Sequence, residues 1–90
     1  MEGLSRAKTE RLMLELVRTE IVAVLGFESS GYIEPDGDVL EMGMSSMSVV
    51  QLRETLATKT GLELPDSFIY DLYTPTAIAE FLVVKFLGEN

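Results

Sequence analysis

Leu14, Val17, Ile21, Val24 and Leu25 recur at spacings of three and four residues until Gly26 interrupts them. Residues spaced in that way share one side of an α-helix, so the stripe predicts a helix whose apolar side must be buried against something else. The same period returns from Ser46 to about Thr60, with Val49, Leu52 and Leu56 inward and Gly61 as the stop. It returns again after Pro75, where Thr74 is the expected cap and Ile78, Phe81, Leu82 and Lys85 or Phe86 carry the stripe to about Leu87. Between these last two, "LELPDSFIYDLYTP" is too short and interrupted for a long helix and predicts a single turn around residues 66–70. No segment alternates as a strand would. One-sided helices in a chain of 90 residues have only one another to pack against. The expectation is an all-α fold: a small bundle of three main helices plus one short helix, one domain over 1–90 with its core at about 12–87 and short polar linkers at both ends.

The stretch between the first two helices, "FESSGYIEPDGDVLEMG", contains Gly31, Pro35, Gly37 and Gly43 among turn-forming Ser and Asp residues. It predicts a long loop anchored by Phe27, Ile33 and Leu40, and a loop of this length inside a small domain is functional or packed by its own apolar residues. What the loop and its neighbours can do chemically is narrowed by what the chain lacks. There is neither cysteine nor histidine, which removes thiolate nucleophiles, disulfides, Cys-based zinc sites, the usual general base and the commonest nitrogen ligand for metals. No catalytic residue and no metal ligand is assigned. "GMSSM" is not a nucleophile elbow, because Met47 stands where the second glycine would be. In "EPDGDVLE" the spacing of Asp36, Asp38 and Glu41 fails a calcium loop and reads as a solvated acidic turn.

Net charge is -8, and residues 21–45 carry Glu28, Glu34, Asp36, Asp38 and Glu41 with no basic residue. Such a field repels nucleic acid and anionic membrane surfaces, so neither is an expected partner, whereas a protein with a basic docking face is. The first ten residues have no apolar core of the kind a signal peptide needs, and no run is long and apolar enough to span a bilayer. A cytoplasmic monomer is the expectation.

Within this frame one stretch stands out: "EMGMSSMSVVQLRETL", residues 41–56, where two serines sit among methionines at the start of a helical pattern. The first backbone N–H groups of a helix lack intrahelical partners and its N-terminus carries positive partial charge. Ser45 suits the capping position, which leaves Ser46 in the first turn with its hydroxyl beside a site that favours phosphate. Met44 and Met47 flank it and are adaptable enough to meet apolar groups of varied shape. Taken alone, the pair also reads as two capping residues without chemistry, and the methionines as ordinary gap filling.

The segments "VRTEIVAVLGF", "LEMGMSSMSVVQLRETLATKTGLELP" and "IYDLYTPTAIAEFL" resemble, in order and spacing over residues 12–87, an acyl carrier domain of the kind found in modular type I polyketide synthases. The resemblance implies that Ser46 is esterified with 4'-phosphopantetheine from coenzyme A by a separate phosphopantetheinyl transferase. It implies that acyl or polyketide intermediates ride as thioesters on that arm and are presented to ketosynthase, acyltransferase and other synthase domains. The reactive sulfur would then belong to the prosthetic group, which accounts for a function without cysteine or histidine. Partner and acyl contacts are expected at Met44, Met47, Val50 and Glu54, rimmed by Glu41 and Asp71, with Arg53 offsetting Glu54.

Two positions depart from the family pattern. Ser45 stands where the family has aspartate, which keeps the cap but removes a carboxylate near the incoming coenzyme A. Tyr73 stands where many relatives have proline. Leu52 is not the tryptophan of carriers serving β-branching. Two other readings stand beside the first: a peptidyl carrier of a nonribosomal synthetase, whose Gly-Gly-His-Ser pattern is missing, and an unmodified helical interaction domain with the carrier fold. Polar residues at both ends favour a domain excised from a longer synthase.

Overall fold

The computed structural model describes residues 2–26 and 33–88, with side chains from residue 6 onward. Four α-helices follow in order: α1 (Glu2–Leu25), α2 (Ser46–Thr60), α3 (Phe68–Asp71) and α4 (Pro75–Phe86). There is no strand among the described residues, so the architecture is the all-α bundle of three main helices and one short one. None of the described helices is long and apolar enough to cross a membrane.

Each helix begins and ends for reasons legible in its residues. The serine and threonine before α2 and α4 cap their first turns, and Gly61 closes α2 in the left-handed conformation at φ 74°, its N–H returning to the Ala57 carbonyl. The apolar sides then meet. Val17 and Ile21 of α1, Val49, Leu52 and Leu56 of α2, Phe68 and Ile69 of α3, and Ile78, Leu82 and Val83 of α4 form one buried core. Phe68 and Phe81 add a tilted ring contact with centroids 5.0 Å apart. Most of the packing of α1 is against α4 and then α2.

Several expectations need correction. The helical backbone of α1 starts ahead of the core: it runs through residues 2–11, with the Arg6–Glu10 pair at 3.1 Å one turn apart, before Met13, the first buried residue among the described side chains. The inward side of α4 is Pro75, Ile78, Ala79, Leu82 and Val83. It does not include Lys85 or Phe86, because the core ends one turn before the helix does: Phe86 is 55% exposed, and the Lys85 ammonium lies over the Phe81 ring at 5.6 Å. On α1 the buried positions include Met13 and Glu20. Glu20 tolerates burial because its Oε2 accepts a hydrogen bond from Lys59 Nζ of α2 at 2.6 Å.

The loop before α2 is more ordered than its turn residues suggest. Ile33 is buried and Leu40 packs on the core, while Phe27 lies outside the described residues. Asp38 is no merely solvated acid: its Oδ1 accepts from the Leu40 N–H at 2.8 Å and starts a 3-10 turn, Val39–Met42. Two backbone bonds fasten this segment to the α3–α4 junction, Val39 N–H to the Tyr73 carbonyl at 2.8 Å and Thr76 N–H to the Pro35 carbonyl at 2.9 Å.

Candidate functional site at the start of α2

Gly43 ends the 3-10 turn at φ 94°, with no atom within 4 Å of where a side chain would project. Left-handed backbone, not crowding, is what favours glycine here. Two residues later Ser45 takes the extended conformation of an N-cap, φ -82° and ψ 169°, and its Oγ accepts from the Ser48 N–H at 3.0 Å. The two hydroxyls of Ser45 and Ser48 also lie 3.0 Å apart. With the Val49 N–H bonded to the Ser45 carbonyl at 2.9 Å, the helix is under way and Ser46 is its first residue.

Ser46 is exposed. Among the described residues, no protein group accepts from the N–H of Ser46 or of Met47, and the first turn of α2 carries no acidic residue. A hydroxyl therefore stands at the positive end of a helix, beside free donors and without a carboxylate to repel an anion. No base adjoins it, the chain having no histidine. Such a hydroxyl is suited to receive a group delivered by another protein rather than to attack on its own, and a phosphodiester on it would find donors and open space.

The structure divides the expected contact residues. Met47 and Val50 are 66% and 41% exposed, and with Glu54 they follow one another at spacings of three and four along the outer side of α2. Met44 is half-buried and packs against the core, so its first role is structural. Glu41 and Asp71 are both exposed, and Asp71 accepts a hydrogen bond from the Ser67 hydroxyl at 2.9 Å. Arg53 balances Glu54 in net charge but is not paired with it. Its Nη1 donates to the Leu64 carbonyl at 3.3 Å and its Nη2 lies 3.7 Å from Asp66, so the guanidinium ties α2 to the segment leading into α3. Glu54 is thereby left as an exposed carboxylate with no ion pair among the described residues. The part of Ser48 in the cap is one the sequence expectation did not include, although a hydrogen-bonding residue three places after a capping serine is the signal for it.

A family model, two relatives and a solved structure match the chain. The family model described as "Phosphopantetheine attachment site" matches residues 15–82. Polyketide synthase GfsE of Streptomyces halstedii is 48% identical over 77 residues, covering 86% of this chain and 2% of the relative. Phenolphthiocerol synthesis polyketide synthase type I Pks15/1 of Mycobacterium bovis is 38% identical over 90 residues, covering 100% of this chain and 4% of the relative. The chain thus spans only a few per cent of the length of such relatives. Among solved structures, the A1-type ACP domain from module 5 of MLSA1 superposes with a TM-score of 0.83 at 29% identity, over 94% of this chain and 85% of that one.

Proposed function

The chain belongs to the phosphopantetheine-attachment family, as an acyl carrier domain of the type I modular polyketide synthase kind, and from that premise we propose that Ser46 is the attachment point of its arm. One observation carries the reading: an exposed serine at a helix start whose first donors have no protein partner among the described residues and whose first turn holds no acid. The family's prosthetic group is covalent 4'-phosphopantetheine, which when attached supplies a terminal thiol for acyl thioesters. The family is a carrier and not an enzyme. What this chain's own residues do is hold and present: Ser46 would offer the oxygen, Ser45 and Ser48 fix the turn that displays it, and the N–H groups of Ser46 and Met47, without a protein acceptor among the described residues, would be available to the phosphate.

In this reading residues 1–90 act as one carrier domain within a polyketide synthase. Its partners are a phosphopantetheinyl transferase, which loads Ser46 from coenzyme A, and ketosynthase, acyltransferase and other synthase domains, which exchange polyketide or acyl intermediates with the arm in the cytoplasm. Met47 and Val50 give these partners an exposed apolar contact beside the attachment point, and Glu41, Glu54 and Asp71 form an acidic rim that sets the approach of basic faces. Incubation with coenzyme A and a promiscuous phosphopantetheinyl transferase, followed by intact-mass measurement, tests the reading. A gain of one phosphopantetheine per chain is expected. An unchanged mass would leave a helical interaction domain that keeps the carrier fold without its group.

A further inference from the structure

Alongside α2, away from the core, a groove of about 530 Å³ lies against α1, lined by Glu20, Ala23 and Val24 on one wall and Gln51, Thr55 and Lys59 among others on the opposite one. Its chemistry is mixed. The Glu20 side chain is 8% exposed and has one oxygen bonded to Lys59 Nζ, so the groove holds a carboxylate and an ammonium at one end and apolar Ala23 and Val24 along its wall. Gln51 and Glu54 belong to the same lining. They follow Met47 and Val50 by four residues each, so the exposed side of α2 that begins beside Ser46 continues into the groove without a break.

We propose that this groove is a resting site for the chain's own phosphopantetheine arm, a reading that rests on attachment at Ser46. Reach permits it: at about 1.5 Å per residue, Gln51 lies ~7.5 Å and Thr58 ~18 Å along the helix from Ser46. The arm from phosphate to sulfur is comparable with four extended residues, on the order of 15 Å, which brings the thiol just past Thr55 and within one helical turn of Thr58. Character also matches. Two amides separated by short apolar links alternate donors, acceptors and methylenes, as does a groove lined by carboxylates, an amide, hydroxyls, an ammonium and the side chains of Ala23 and Val24. Tethering makes weak contacts sufficient, because a group fixed at one end of α2 sees the groove at an effective concentration on the order of millimolar. A groove of millimolar affinity is then about half filled.

The test uses the modified and unmodified protein under identical conditions. In backbone amide spectra, modification should shift Ala23, Val24, Thr55 and Thr58 in addition to residues 44–50; shifts confined to residues 44–50 would overturn the proposal. Because the chain has no cysteine, the arm bears the only thiol, and its rate with a thiol-specific disulfide reagent reports occupancy directly. Rates about twofold below those of free pantetheine are expected, rising to the free value in Ala23→Trp and in Thr58→Trp, two exposed positions where an indole fills the groove. Equal rates for tethered and free thiol, or a slowed rate that neither tryptophan relieves, would overturn it. Failure of the underlying reading is distinct: the mass would not change on incubation with coenzyme A.

Discussion

The starts of α2 and α4 use the same local device and arrive at opposite ends. Ser45 Oγ accepts from Ser48 N–H at 3.0 Å, and Thr74 Oγ1 accepts from Ala77 N–H at 3.1 Å, both from extended N-cap residues. At α4 every remaining donor of the first turn is dealt with: Pro75 is buried and has no N–H, and the Thr76 N–H is given to the Pro35 carbonyl. At α2 the corresponding N–H groups of Ser46 and Met47 have no protein acceptor among the described residues, and both side chains are exposed. A capping motif decides where a helix begins. Whether that beginning becomes a site is decided by what the rest of the chain lays over it, and here the loop that gives the Pro35 carbonyl to α4 gives no acceptor to the Ser46 or Met47 N–H among the described residues.

If the comparison holds, damage to the closed start should show as lost stability and damage to the open one as lost modification. The largest stability effect is expected for Thr74→Ala, which removes a part-buried cap and should cost about 1–2 kcal/mol, a fall in melting temperature of roughly 4–8 °C per kcal/mol for a domain of this size. Modification by the transferase should be unchanged. Ser45→Ala removes an exposed cap whose donor water can satisfy, so about 0.5–1 kcal/mol is expected, together with slower but persistent modification. A loss in Ser45→Ala as large as that in Thr74→Ala, measured by thermal melts, would erase the distinction.

Ser45→Asp sharpens the comparison from the other side. It puts in place the aspartate that the resemblance leads one to expect at this position, keeps a capping oxygen and adds a charge that the helix N-terminus favours by about 0.3–1 kcal/mol before salt screens it. Transferase kinetics should quicken, and equal or slower kinetics would show that serine here is harmless or adaptive. The smallest stability effects belong to Met47→Ala and Val50→Ala, expected within about 0.5 kcal/mol because both side chains are exposed. Each should still weaken acyl transfer with a cognate ketosynthase, whereas Glu54→Lys should act on the association rate and its salt dependence. Transfer untouched by both apolar substitutions, with rim charge reversals abolishing it at every salt concentration, would make recognition electrostatic instead.

What could be read from the sequence was what depends on local pattern. The extent of α2, with Val49, Leu52 and Leu56 inward and Gly61 after it, follows from period and termination alone, and so does the start of α4 at Pro75. The position of Ser46 relative to the helix start was legible for the same reason. What escaped depends on tertiary neighbours. Nothing in a helical period says that Glu20 is buried, because its burial is tolerated through Lys59, 39 residues away in sequence. The net charges of Arg53 and Glu54 balance, but which partner each holds was not legible: residues side by side on a helix point in different directions, and Arg53 finds Leu64 and Asp66. Likewise the stripe of α4 predicts a face but not where the core beneath it stops, and Phe86 lies past that point.

The central claim, that the open start of α2 receives the arm at Ser46, is tested most directly by intact mass and peptide mapping of Ser46→Ala beside Ser45→Ala after incubation with coenzyme A and the transferase. Ser46→Ala should show no added phosphopantetheine while melting within about 0.5 kcal/mol of the parent chain, and Ser45→Ala should retain some, mapped to Ser46. Modification that persists in Ser46→Ala, or that disappears only in Ser45→Ala, would contradict the account.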